Sequence, residues 1–148
     1  MATIRGTGPS ATHRPLARSV ALDEAECRRL LGVRGIGRVA VFTADGPAVH
    51  PVNYLVVDGA FTFRTGAGTV LSRAAGTEAA FEADRIDSTA ARAWSVLAVG
   101  VLEPAANRAE LDRRAAAAHT EPWAGGARPH WMKLTPVRVT GRRVVYRP

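Results

Sequence analysis

The stretch HPVNYLVVDGAFTFRTGAGTVLS, residues 50–72, decides how the rest of the chain is read. Pro51 to Val57 is an apolar, β-branched run and reads as a strand. Asp58-Gly59 follows as a two-residue hairpin turn, because glycine accepts the positive φ that a primed turn requires. Ala60 to Thr65 is the returning strand, with Phe61 and Phe63 on one face and Thr62 and Arg64 on the other. Gly66-Ala67-Gly68-Thr69 then breaks the strand and opens a short helical segment over Val70–Ala75. Arg64 therefore stands at a strand end beside a glycine-rich turn and a helix start. Outward-pointing backbone N–H groups and a two-pronged guanidinium can hold an anion there. The same residues also describe an ordinary surface arginine after a strand, and this stretch alone does not choose.

Working outward, Met1 to Ser19 is rich in Thr, Pro, Gly, Ser and Arg without periodicity, which predicts an arm over residues 1–20 and one domain over 21–148. Asp23 to Leu31 reads as a helix. Asp23 caps it, Glu26 completes a capping box, Leu22 staples against Cys27, and Gly32 and Gly35 end it. Cys27 reads as a small buried apolar residue on that helix rather than a redox centre. Ile36 to Phe42 is a strand, and Asp45-Gly46 marks a turn, so three consecutive strands form an antiparallel meander.

Thr77 to Asp84 alternates Ala79, Phe81 and Ala83 against Glu78, Ala80 and Glu82 and predicts another strand, with a polar loop over Ile86–Arg92. Trp94 to Leu102 is a long apolar strand ended by Pro104. Asn107 and Glu110 predict a capping box on an alanine-rich helix running to Ala118. Glu121 to Pro129 is a Pro/Gly loop. His130–Leu134 and Val137–Tyr146 predict two final strands, with Gly141 as a bend or bulge. The total is six or seven antiparallel strands with short helices, a pattern that closes best as a barrel or Greek-key sandwich.

Composition narrows the function classes. A chain of 148 residues, 47% hydrophobic and 22% charged, fits one soluble globular domain. No apolar run approaches the ~18–20 residues of a membrane helix, and the first residues lack the apolar core of a secretory signal. One cysteine excludes an internal disulfide and suits a reducing cytoplasm. No Cys/His spacing suggests a metal site. The net charge of +7 raises nucleic-acid binding, but the arginines are scattered and form no basic helix or aromatic-interleaved strand, so neither nucleic acid nor membrane is the expected partner.

Residues 50–72, followed in order by FEAD (Phe81–Asp84), AWSVLAVG (Ala93–Gly100) and PWAGGARPHWMKLTPVRVTGRR (Pro122–Arg143), resemble the pyridoxamine 5′-phosphate oxidase-like proteins. These are flavin-binding split barrels, and the similarity leans to their short bacterial, nitroimidazole-reductase-like branch. It spans roughly Leu22 to Arg143 and implies a split β-barrel of the FMN-binding type. It also implies a homodimer with flavin sites at the subunit interface.

The resemblance also implies site residues. Arg64 and Thr65, with Gly68, Thr69 and Val70 at the turn, match the phosphate clamp. Pro51, Val52 and Asn53 match the strand along the isoalloxazine edge, although Asn53 can equally satisfy a strand edge. Trp94 and Ser95 match a run near the flavin or at the interface. Trp123, His130 and Trp131 match the late loop and strand over the ring. Trp94 and Trp131 read equally as core or interface packing, and His130 as a solvent-facing strand residue. Many relatives carry Lys where this chain has Val70, which removes one charge-assisted contact from the clamp.

The activity implied is a flavin-dependent oxidoreductase, with FMN as cofactor, that passes hydride from NAD(P)H or a similar donor to a small organic acceptor. No GxGxxG fingerprint follows a strand, so the nicotinamide donor is expected only transiently. The deazaflavin F420 and a non-catalytic flavin-binding dimer are the alternatives. No histidine or cysteine is placed as a heme ligand.

Overall fold

The computed structural model describes residues 17–90, 92–120 and 126–146. Along the chain run β1 (Ala17–Leu22), α1 (Glu24–Leu31), β2 (Arg34–Thr43), β3 (Gly46–Val57), β4 (Ala60–Thr65), α2 (Val70–Arg73), β5 (Glu78–Asp87), β6 (Arg92–Pro104), α3 (Arg108–Ala118) and β7 (His130–Tyr146). All seven strands belong to one antiparallel sheet in the order β1-β7-β4-β3-β2-β5-β6, and β6 pairs back onto β7. That last pairing closes six strands into a split β-barrel, with β1 appended outside on β7. No helix among the described residues is long and apolar enough to cross a membrane.

The local signals explain most of these elements. Asp58 and Gly59 both have positive φ, 50° and 79°, which is the primed turn that the β3–β4 hairpin requires. Asp23 accepts the Glu26 backbone N–H at 2.8 Å, and Glu26 reaches back to the Asp23 N–H, so the capping box starts α1. α1 drops Cys27 and Leu31 into the barrel core. Burial, with Asp23 and Glu26 behind it, raises the Cys27 thiol above its ordinary range.

The interior is built from the inward faces of every barrel strand: Val39, Val41, Tyr54, Phe61, Phe63, Phe81, Val96, Ala98, Met132 and Leu134 among them. Phe61 and Phe81 stack with centroids 4.3 Å apart, and Tyr54 meets both edge-on. The Tyr54 hydroxyl donates to the Leu31 carbonyl at 2.7 Å, tying β3 to the last turn of α1. A second cluster of Leu55, Leu111, Ala115 and Trp131 seats α3 on the outer face of β3, β4 and β7.

The structure corrects several expectations. Ala17–Leu22 is a strand against Gly141–Tyr146, so the last residues of the expected arm join the sheet, while residues 1–16 lie outside the described residues. Ile86 and Asp87 continue β5 and Arg92 opens β6, with Asp87 paired to Arg92, so the expected polar loop shrinks to a tight connection. Asn107 takes a left-handed conformation and makes no side-chain cap; its carbonyl receives the Glu110 and Leu111 N–H groups instead.

The two expected final strands are one, β7. Its irregularity is not at Gly141 but where Val99 pairs with Arg138 and Gly100 pairs with Pro136, which leaves Val137 bulged outward and 80% exposed. Pro136 has no N–H to give a ladder, and a Cβ at Gly100 would stand 2.1 Å from the Thr135 oxygen. Gly141 stays in register with Val96. It is small because Cys27 Sγ would lie 2.7 Å from a Cβ there.

Burial raises the Tyr54 phenol from 10.0 to about 12. The folded state thus holds that proton more tightly than the unfolded chain. Its contribution is complete below pH ~10 and falls as pH rises from 10 towards 12. Urea titrations of Tyr54→Phe should show a loss of about 0.5–1.5 kcal/mol at neutral pH from the missing hydrogen bond. The variant should also lose part of the wild-type decline between pH 10 and 12; an unchanged decline would mean other groups cause it.

Candidate functional site

The turn after β4 is fixed by its own side chains. Thr65 is buried, and its hydroxyl lies 2.7 Å from that of Thr69. Thr69 caps α2 by accepting the Ser72 N–H at 3.2 Å, and its hydroxyl sits 3.0 Å from the Gly66 carbonyl. Arg73 donates to the Gly68 carbonyl at 2.6 Å. Gly68 has φ +65° with open space where a Cβ would be, and Gly66 would place one 3.2 Å from the Thr69 methyl group. The result is a short glycine cradle on a rigid base. With four residues, α2 is too short for its dipole to hold an anion alone, so charge at this turn has to come from side chains.

Arg64 supplies it. It sits half-buried on the outer face of β4, paired with Trp131, and its guanidinium carbon lies 5.4 Å from the Trp131 ring centroid. A stacked guanidinium keeps its donors free at the edge of the plane. Among the described residues no carboxylate makes an ion pair with it. Trp131 itself is 5% exposed, packed in the α3 cluster, and donates its indole N–H to Asp112 at 2.8 Å. It is the platform under Arg64, with its ring edge spent on packing. His130 is exposed and paired with Thr65 at the start of β7. Val70, at the position where a lysine is absent, packs against the core.

The β3–β4 ladder ends at Tyr54 and Phe63, so Asn53 and Arg64 are the next residues outward on neighbouring strands, both on the outer face. Asn53 is partly buried and makes an interaction of its own there. Pro51 is exposed two residues further along the same face, whereas Val52 points into the core. Arg64, the turn after it and Asn53 are thus brought together, while Val52 faces the core.

Trp94 and Ser95 lie elsewhere. Pro51 pairs with Arg38, Arg38 with Glu82 and Glu82 with Leu97, so the face bearing Pro51 continues across β2 and β5 to β6. Ser95 is exposed on that continuation, three strand spacings from β3, about 14 Å around the sheet. Trp94 is half-buried against the core near the barrel end. Within one chain neither joins the Arg64 turn. Trp123 lies outside the described residues.

Sequence reasoning missed the outer face itself. Val49, Ala40, Ala80 and Val99 form one row across β3, β2, β5 and β6, all facing outward. Val49 in this row is 59% exposed and Phe42 beside it 81%, with Ile36 and Leu97 on the same face. The signal was present as apolar residues on the wrong side of the alternation, but a strand that is apolar on both faces only reads as strongly β. Arg38 is charged on this face and is held by Asp84 at 2.8 Å and Glu82 at 3.2 Å, both of which raise it above its ordinary value. Among the described residues no group of three His, Cys, Asp or Glu could hold a metal ion.

Known proteins resemble this chain in sequence and in fold. The chain is 36% identical over 132 residues to the uncharacterised protein Rv0080 of Mycobacterium tuberculosis, an overlap of 85% of this chain and 86% of that protein. Its fold matches the FAD-binding protein of Mycobacterium smegmatis with a TM-score of 0.65 at 28% identity, covering 85% of this chain and 98% of that one. A FAD-binding protein of Mesorhizobium loti shares the fold with a TM-score of 0.69 at 24% identity, covering 84% and 97%. Residues 23–143, from the cap of α1 to late in β7, match the pyridoxamine 5′-phosphate oxidase family, and with that match over most of its length the chain belongs to this family.

Proposed function

We propose that the chain binds a flavin nucleotide at the Gly66–Thr69 turn and, as a homodimer, serves an oxidoreductase that passes hydride from NAD(P)H or a similar donor to a small organic acceptor. The observation that carries this is Arg64: a stacked guanidinium, without a carboxylate partner among the described residues, beside a turn with room at Gly68. A phosphate fits that charge and that space. Arg64 and the Gly68 and Thr69 amides would hold it, the Trp131–Asp112 pair would keep Arg64 in place, and Asn53 would meet the polar chain or ring edge. When bound, the flavin supplies a two-electron hydride carrier; the protein binds it, orients it and excludes water around it.

FMN is the smallest flavin with the phosphate this turn answers. FAD is the second reading, favoured by the 28% identical FAD-binding protein of M. smegmatis. F420 is separated from both by the absorption spectrum of the purified protein. The homodimer rests on the outer row Val49–Ala40–Ala80–Val99, an apolar strip across four strands in which Val49 is exposed and the other three are partly so. A partner seated on it would also bring its own Ser95 and Pro51 faces to the same surface.

Two measurements test this reading. Gel filtration of the purified protein should give twice the 15.7 kDa chain mass, and Val49→Glu, which places a charge in the apolar row, should shift it to monomer. A wild-type monomer at micromolar concentration that still binds flavin would overturn the dimer. Arg64→Ala should weaken FMN binding by about 1.5–3 kcal/mol, roughly ten- to hundredfold, and riboflavin binding far less. Equal losses for the two ligands would make Arg64 a support of the site's shape instead.

A further inference from the structure

Arg128 lies in the segment just before β7. Thr65 pairs with His130 and Arg64 with Trp131, so the residues that precede His130 run alongside the Gly66–Thr69 turn. The Ala127 carbonyl confirms the approach, lying 3.7 Å from where a Cβ on Gly66 would sit. Arg128 is partly buried, its Nε is closed off from solvent, and among the described residues that N–H has no hydrogen-bond partner. A buried guanidinium donor left unmatched is costly, and native proteins rarely keep one without an acceptor to come.

The neighbouring cations are differently occupied. Arg73 spends a donor on the Gly68 carbonyl, and Val70 is packed on the core and carries no charge. Arg64 stands on the other strand of the β4–β7 pair. A ligand phosphate at the turn would therefore meet Arg64 from β4 and Arg128 from the approach to β7, one from each side. We propose that Arg128 is the second cationic grip on the phosphate of the bound flavin nucleotide, replacing from a different segment the lysine that this chain lacks at Val70. The inference rests on the flavin-nucleotide reading of the turn and adds a residue to it. It also predicts a stronger preference for phosphorylated flavins over riboflavin than Arg64 alone would give.

The test uses the full chain with FMN and riboflavin, read by quenching of flavin fluorescence and by thermal melting with and without ligand. Arg128→Gln should weaken FMN about tenfold or more while riboflavin changes less than about twofold, and Arg128→Lys should recover part of the loss. Without ligand, Arg128→Gln should melt at or above the wild-type temperature, because an unmatched buried N–H donor has been removed. The rise in melting temperature that FMN gives the wild type should shrink. A fall in ligand-free melting temperature with an unchanged FMN-to-riboflavin ratio in both variants would make Arg128 structural and overturn the proposal. If Arg64→Ala lowers that ratio and Arg128→Gln does not, the Arg128 role alone fails. If the wild type binds FMN no better than riboflavin, the phosphate reading of the whole turn fails with it.

Discussion

The barrel depends on one aromatic stack. Strands β2, β3 and β4 form a hairpin meander, and β5 and β6 form a hairpin to which β7 adds after α3, with β1 on its edge. Between them β2 meets β5 only over Arg38–Ala40, and β4 meets β7 over Phe61–Thr65. Backbone pairing across the first seam is thus short, and the interior has to hold the halves together. Phe61 from β4 and Phe81 from β5 do so, stacked at 4.3 Å and nearly parallel, with Tyr54 of β3 braced edge-on against both. Such pairs add about 0.5–1.5 kcal/mol each beyond the area they bury. Gly37 makes the stack possible, since a Cβ there would stand 2.5 Å from the Phe81 ring.

The candidate site inherits its rigidity from that core. Phe63 is fully buried, and Arg64 and Thr65 are the next two residues on the same strand. Thr65 is locked to Thr69, and Trp131 is locked to Asp112 on α3. Arg64 is therefore held from below by an indole that cannot turn. The alanine-rich helix α3, poor in large apolar residues, earns its place as the wall behind that indole, through Leu111 and Ala115.

Much of this was legible in the sequence, and what was not has physical reasons. The Asp58-Gly59 turn, the strand Ala60–Thr65 and the capping box at Asp23 are local features, in which neighbouring residues satisfy each other, and local rules find them. Asn107 looked like the same kind of cap but is held by backbone bonds in a left-handed conformation, because the chain has to turn sharply out of β6. The unity of β7 was hidden by Pro136, which normally interrupts a ladder; a glycine thirty-six residues earlier, Gly100, makes room for it, and that is a pairing no local rule contains. Arg64 and the glycine turn adjoin in sequence and in space, while Trp94 and Ser95 stand on a different part of the sheet, since proximity along a motif series is not proximity in one barrel. Arg128 read only as one more scattered arginine, because a buried, unmatched donor shows itself only in the folded chain.

The appended strand β1 has a consequence of its own. A closed barrel hides its strand edges, yet β1 hangs on β7 and has no neighbour on its other side among the described residues. A bare edge is a template on which a strand from another molecule can zip, the first step towards fibres and clumps. Here the exposed rim is six residues long, and Arg18 and Ser19 sit within it. A stray strand would find too few groups to grip and a fixed charge in its path. The chain can therefore add a strand outside its barrel without making itself sticky.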